Sequence, residues 1–583
     1  MELRSPTGTK NSKLIKWPEW LFWPLLLLCL LPTVFFMSLD SYRTGDEVIT
    51  YGMANEPAQG WMFSKGRIRS YLDHEILQDG IGGVFKNLAA AGKDILQNRR
   101  NAVFFQTERP AETGWYSGEQ LRGFLAIEKG EAFHPGQVYL NAMGDDANSF
   151  LYYLCLHLLS SLIPGISAGK WSGFLLNLLC MGVLLYLLYR ICCYYMENRG
   201  WRFFTLLSYA CSAGAIEMYT NARPYSLAAV FFAGLFLQHL RMFEILKRSG
   251  AAAAKKYMKR LIPVYMLGYV SHYTMGIWAV CLGVFTLCTA FLLSSESRLG
   301  MTEMHNCQNP KEFIKGYLAT GLLAVLLGIC VDPMSVFGLL SKLKGTESAS
   351  LRSAYGGVFG KAVYAMVSGN DIWLLLLAGL LVLAVARYLQ KEKKADWRIV
   401  LFCLLPFGYV LLSTFLMRTD KISTVIPYFF IMLGLLIGYV SGEQRRWKAV
   451  LASVLFLLWC IGGFHGMADS KKQERGELLL FEEQMAQHPS DTMVFVRAHG
   501  SGYDKIPLLG RYREVYVLTT DDGWQEHRGE LMRAVADSGM FLCDGDSEAC
   551  DMILEWLSAG GLEKRHVETL YGNDQAVLIR VRE

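Results

Sequence analysis

The apolar residues of this chain come in blocks, and the first, "WLFWPLLLLCLLPTVFFM", is already as long as a bilayer is thick. A run of about 17–22 apolar residues crosses the hydrocarbon core as a helix, the form that satisfies every backbone polar group within one segment. Such blocks recur at roughly 18–38, 171–189, 203–219, 225–240, 261–275, 277–293, 317–332, 371–388, 399–416, 424–440 and 449–464. Hydrophobic residues make up 52% of the 583, too many for an ordinary soluble protein. The blocks therefore predict a mainly α polytopic membrane protein with about eleven transmembrane helices, so the lipid bilayer is its first partner. The net charge is only +5, and no basic run is interleaved with aromatics. A nucleic-acid partner is therefore not expected.

Residues 1–37 begin with Arg4, Lys10, Lys13 and Lys16 and then turn apolar, as a signal peptide does. The apolar run is long, however, and no small-x-small cleavage site follows, so it reads as a retained first span. Basic residues set the direction of the others. They cluster at the N-terminus, at 190–202, at 298–315, at 387–398 and at 445–448, and the run 241–260 alone holds seven. Placing these clusters in the cytoplasm requires that "FLYYLCLHLLSSLI" (150–163), too short to span, be a half-helix at the outer surface. The N-terminus is then inside and the C-terminus outside.

This arrangement predicts a transmembrane domain over 1–464 with two extracytoplasmic regions. The first is a large loop, 39–149, too long to be a mere connector. Within it Leu72, Ile76, Ile81, Val84, Phe85 and Leu88 fall near helical spacing. That suits an amphipathic surface helix, and equally a helix packed on the rest of the loop. The second is the tail, 465–583. Here "MVFVRA", "EVYVLTT" and "MFLCD" read as buried strands, and "GWQEHRGELMRAVAD" and "SEACDMILEWLSAG" as helices. "HVETLY" and "AVLIRV" flank a "GND" turn. A small α/β domain is expected. Cys543 and Cys550 within it are either a disulfide or two buried thiols.

Polar groups collect where the predicted spans meet the outer surface. Asp46 and Glu47 open the large loop, and Asp145 and Asp146 close it in "GDDANSFLYY". Arg223 and Tyr225 lie in "EMYTNARPYSL", His272 and Tyr273 in "VSHYTMG", and Arg418 and Lys421 in "MRTDKIS". "FSKGRIRS" adds Lys65, Arg67 and Arg69. Each has a plainer reading. Arg223 beside a proline can snorkel to lipid headgroups, His272 can be structural, Asp145 and Asp146 can cap the half-helix, and Glu217 and Asp332 read as solvated helix ends.

Taken in order, these segments resemble the GT-C glycosyltransferases, among them the protein O-mannosyltransferases and the lipid A aminoarabinose transferases. The acidic pair after the first span resembles the family's "DE" signature. "DANSFLYYLCLHLL" is similar to its Asp-x-His-Pro-Pro-Leu-Tyr-Tyr segment, with Asn148 in place of the histidine and Ser149-Phe150 in place of the prolines. "NARPYSL" is similar to "EARPYAL", and "SHYTMG" to "THYFG". The likeness runs over about residues 18–440. It weakens at "RTDKISTVIPYFF", where the family has "RY" entering a late span.

The resemblance implies an inverting glycosyltransferase. It would move a monosaccharide from a polyprenyl-phosphate carrier to an envelope glycan, lipid or protein acceptor outside the membrane. Asp46 would be the general base, since a carboxylate within hydrogen-bond reach can take the acceptor's proton. Glu47, or Asp146 from the other end of the loop, would orient the acceptor or Asp46. Arg223, Tyr225 and His272, with Lys65 and Arg67, would hold the donor phosphate and stabilise the leaving group without a metal or other cofactor. Carboxylates can also bind a divalent ion, which this reading does not favour. A transporter or flippase of envelope lipids would instead bury charge in mid-span and repeat its halves. A non-catalytic scaffold would be indifferent to Asp46.

Overall fold

The structure is a computed structural model. It describes residues 22–39, 44–55, 113–123, 125–127, 130–144, 150–164, 171–298, 310–332, 351–367, 397–417, 422–441, 446–487, 490–497, 502–520, 524–544, 567–573 and 576–581, with isolated positions over 82–97 and 552–556. The expected helix over 71–90 falls largely outside these residues, as does the expected span 371–388.

Among the described residues, five helices are long and apolar enough to cross a membrane: Trp171–Tyr195, Tyr225–Met258, Met275–Ser295, Lys311–Val331 and Trp397–Leu416. Shorter apolar helices cover Trp23–Leu39, Phe150–Leu162, Leu261–Ser271 and Ser423–Gly438. The last apolar block lies inside a 42-residue helix, Arg446–Gln487, that runs on into polar sequence. The block 203–219 is not one helix. It divides into Arg199–Ala210 and Ala213–Thr220, because the Ser212 side chain turns back to accept the Ala215 N–H at 3.2 Å and starts a new helix. A helix not foreseen in the sequence covers Leu351–Val367.

Five strands of the tail and one of the first loop form a six-stranded sheet in the order β1-β3-β2-β4-β6-β5. These are β1 Gly114–Ser117, β2 Thr492–Arg497, β3 Glu514–Thr519, β4 Met540–Asp544, β5 Val567–Asn573 and β6 Ala576–Val581. The three central strands β3, β2 and β4 are parallel, and the rest pair antiparallel. Every residue of β2 is buried, as expected for a strand covered on both faces. Val494 and Val496 pack with Leu531 and Val535 of the helix Arg528–Ser538. Met493 and Phe495 point the other way, into the main core. Cys543 is disulfide-bonded, and its partner lies outside the described residues.

The strand β1 comes from the large first loop. It lies antiparallel to β3, with Trp115 opposite Tyr516. Gly118 follows it and donates to the Arg513 carbonyl at 3.1 Å. A side chain there would collide with the Tyr512 carbonyl oxygen, so only glycine fits. Arg122 donates to the Gly510 carbonyl at 2.5 Å, and the Thr519 N–H donates to Thr113 Oγ1 at 3.1 Å. Loop and tail thus share one sheet. The same loop covers the end of the helix Pro310–Val331, where the Tyr139 hydroxyl donates to the Val331 carbonyl at 3.2 Å. Asp332, expected to be solvated, is consequently only 4% exposed, while Glu217 is exposed as expected.

Candidate active site

The site begins at the short helix Gly45–Asn55, which carries both members of the first acidic pair in its first turn. Thr44 starts it. The Glu47 N–H donates to Thr44 Oγ1 at 3.3 Å, and the Thr44 N–H donates back to Glu47 Oε2 at 3.1 Å, a reciprocal capping box. The second oxygen of Glu47 accepts the Ala222 N–H at 2.8 Å. Glu47 is 1% exposed. Its carboxylate thus ties the first turn of the helix to the segment carrying Arg223. Further along, the Tyr51 hydroxyl accepts the Gly173 N–H at 3.0 Å.

The segment "NARP" is held from the other side by Asn177, a fully buried amide on the helix Trp171–Tyr195. Its Nδ2 donates to the carbonyls of Tyr219 and Asn221 at 3.1 and 2.7 Å. Its Oδ1 accepts from the hydroxyls of Tyr152 and Ser226 at 2.9 and 2.7 Å. All four hydrogen-bonding positions of the side chain are used. The contacts fall on both sides of Arg223, so its backbone is fixed at each end.

Arg223 projects from this clasp and pairs with Asp46. Its Nη1 lies 2.7 Å from Asp46 Oδ2, with side-chain exposures of 32% and 54%. The guanidinium also lies over the Tyr225 ring, 5.0 Å from its centroid. The Tyr225 ring is 5.1 Å from that of His272, which stacks on Tyr273 at 4.4 Å. His272 is buried at the end of the helix Leu261–Ser271. The Thr274 N–H donates to its Nδ1 at 3.2 Å, which assigns the proton to Nε2.

The structure therefore brings together Asp46, Glu47, Arg223, Tyr225 and His272, which lie in three separate stretches of sequence. Lys65, Arg67, Asp145 and Asp146 lie outside the described residues, as do Arg418 and Lys421. Among the described residues no three His, Cys, Asp or Glu side chains gather as they would around a metal ion.

Two further features mark the neighbourhood. One is the tail, which touches the start of the acidic helix. A Cβ on Gly45 would lie 3.7 Å from Tyr503 Cβ and 3.8 Å from the Asp504 nitrogen. The turn Tyr503–Lys505 follows β2 and carries an Asp504–Lys505 ion pair at 2.5 Å. Beside it, the buried guanidinium of Arg497 lies over the Tyr503 ring at 4.7 Å. The other is His157 on the helix Phe150–Leu162. Its Nδ1 pairs with the Ala54 carbonyl at 2.8 Å, and its Nε2 accepts the His134 N–H at 3.0 Å. Burial lowers its pKa, the nearby His134 acts in the same sense, and the hydrogen bond to Ala54 partly offsets both.

No family model matches the chain, and no curated protein matches it. Among solved structures, the chain is similar to ArnT from Cupriavidus metallidurans bound to undecaprenyl phosphate. That match has a TM-score of 0.43 and 11% identity, over 79% of this chain and 91% of that one. It is also similar to the same protein in the apo state, at a TM-score of 0.41 and 12% identity, over 74% and 87%.

Proposed function

We propose that this chain is an inverting glycosyltransferase embedded in the bacterial cytoplasmic membrane. It moves a monosaccharide from a polyprenyl-phosphate carrier to a hydroxyl of an envelope acceptor on the outer side. The observation that carries this reading is the Asp46–Arg223 pair, set beside Tyr225 and His272. The reaction needs a base for the acceptor and a cation for the departing phosphate within one small space, and these groups supply both.

Asp46 takes the proton of the acceptor hydroxyl as its oxygen attacks the anomeric carbon. The glycosidic bond to phosphate breaks on the opposite face, and its electron pair leaves with the lipid phosphate. Arg223 receives that phosphate, since its planar fork matches two phosphate oxygens. The Tyr225 hydroxyl and the Nε2–H of His272 add neutral donors around it. Arg223 cannot serve the phosphate fully while it is paired with Asp46. Carrier binding therefore draws the guanidinium away and leaves the carboxylate for the acceptor. Glu47 and Asn177 hold the two backbones in register throughout. These residues need no metal for the steps described.

The test is to purify the chain and identify its bound lipid by mass spectrometry. A polyprenyl phosphate or its glycosylated form is expected, retained by Asp46→Asn and lost from Arg223→Gln. A preparation that carries no such lipid, or an Arg223→Gln variant that keeps it undiminished, overturns the reading.

A further inference from the structure

The sheet shared by loop and tail has two ends. The carboxyl ends of its parallel strands meet the helix Gly45–Asn55 through Tyr503 and Asp504. The amino ends face away and form the rim of a cavity of about 720 Å³. One wall is Trp115 of β1, which is 44% exposed and rests against Tyr516 with ring centroids 5.3 Å apart. Asp491 and the start of β3, Arg513 and Glu514, form the floor. The opposite wall is the helix Arg528–Ser538, which contributes Glu530, Arg533 and Asp537.

The composition of this cavity selects a chemistry. An exposed indole offers a flat apolar face, which packs on the C–H face of a pyranose ring. Carboxylates and guanidinium groups around it accept from and donate to ring hydroxyls. Four carboxylates stand against two guanidinium groups. The cavity therefore repels phosphate and other anions, and it favours neutral or amino-bearing sugars. It has too little apolar lining to hold a lipid chain.

We propose that this cavity binds a sugar unit of an extended glycan. Its use as an acceptor subsite rests on the transferase reading above, whereas the binding itself does not. The cavity lies at the amino ends of these strands and the helix bearing Asp46 meets the carboxyl end of β2, so a glycan seated at Trp115 has to continue beyond one unit to reach Asp46. The acceptor class this selects is an oligosaccharide or polysaccharide, in preference to a single lipid headgroup.

The experiment uses the full chain in lipid nanodiscs, which avoids sugar-headed detergents, and saturation-transfer NMR with chitotetraose, a chitosan tetramer, cellotetraose and maltotetraose. At least one of these is expected to receive saturation on its ring C–H protons. Trp115→Ala should weaken that binding at least about tenfold, while Trp115→Phe and Asp46→Asn keep it. If Trp115→Ala disturbs the edge strand, Asp537→Ala and Arg533→Ala on the exposed face of the helix replace it, with weakened binding expected again. Binding by none of the four sugars, equal binding to the wild type and the Trp115→Ala variant, or Trp115-dependent binding of a tetralysine peptide in their place overturns the proposal. Sugar binding that survives in a chain shown to lack carrier lipid leaves this inference standing while the transferase reading fails.

Discussion

Arg223 Nη1 lies 2.7 Å from Asp46 Oδ2. The ion pair joins the first turn after the first apolar helix to the turn between Thr220 and Tyr225. Each partner is held from behind by buried groups, Asp46 through the Glu47 capping box and Arg223 through Asn177. The backbones are rigid while the charges meet at the edge of solvent. Such a pair is easily exchanged, because an exposed ion pair is worth only about 0.2–1 kcal/mol.

Asp46→Asn is expected to reduce transfer by about 10²–10⁴, the usual contribution of a positioned base. It should also bind the proposed polyprenyl-phosphate carrier slightly more tightly, up to about fivefold, since Arg223 no longer has to leave a carboxylate. Calorimetric titration of both proteins checks the second point. Weaker binding by the variant would refute the exchange.

Arg223→Gln removes a charge-assisted grip on phosphate, and carrier affinity should fall by about 10- to 100-fold. Arg223→Lys restores charge without the fork and should recover only part of it. Full recovery by lysine would mean that point charge alone matters at this position.

Glu47→Ala leaves the Ala222 and Thr44 N–H groups without their acceptor in a buried place. A loss of about 1–3 kcal/mol in stability is expected, seen as a lower unfolding temperature. Activity should fall in step with the folded fraction. A variant of unchanged stability that is nonetheless inactive would give Glu47 a chemical role.

Asn177→Leu preserves volume but takes a partner from two carbonyls and two hydroxyls, of which the Asn221 carbonyl keeps the Arg223 N–H and the Ser226 hydroxyl keeps the Arg223 carbonyl. It should destabilise the chain by several kcal/mol, at about 1–3 kcal/mol for each buried group left unsatisfied. Asn177→Asp keeps the acceptor side but turns a buried carboxylate oxygen against the Tyr219 and Asn221 carbonyls, so it should be no milder. Carrier affinity measured on the folded fraction should drop for both, because the "NARP" turn loses its anchor.

His157 titrates below the ordinary histidine range when folded, so the unfolded chain binds its proton more readily. The contribution of His157 to stability is therefore full above a pH of about 6.5 and declines as the pH falls from there toward the lowered folded value. Protonation also removes the acceptor at Nε2 that holds His134. Unfolding temperatures measured between pH 5 and 8 should slope downward on the acid side, and His157→Gln should flatten that slope. A slope unchanged in the variant would place the effect elsewhere.

Much of the helical framework could be read directly, because a membrane helix announces itself by local composition. The convergence of Asp46, Arg223, Tyr225 and His272 was legible too, once each segment was assigned to the same side. Glu47 was harder. Thr44-Gly-Asp-Glu47 is a capping-box pattern, and weighing it would have tied the carboxylate to the start of its helix. Asn177 gave a similar signal, a lone amide within "FLLNLLC", where a polar side chain must find partners. Ser212 broke an expected span because a serine side chain competes for backbone donors, which hydropathy does not register. The strand Gly114–Ser117 had no local signal at all, since its partner β3 lies in the tail.

That last pairing has a consequence for how the protein is made. The Thr519 N–H and the Thr113 hydroxyl oxygen that meet beside β1 are 406 positions apart in the chain. Synthesis and export proceed from the amino end, so the first loop emerges long before its partner strand exists. The sheet beside the candidate site is among the last parts to be completed, and a chain that stops short of the tail leaves β1 without its partner strand. Translation thus sets an order of assembly: the start of the helix Gly45–Asn55 meets Tyr503 and Asp504 only once the tail has been made.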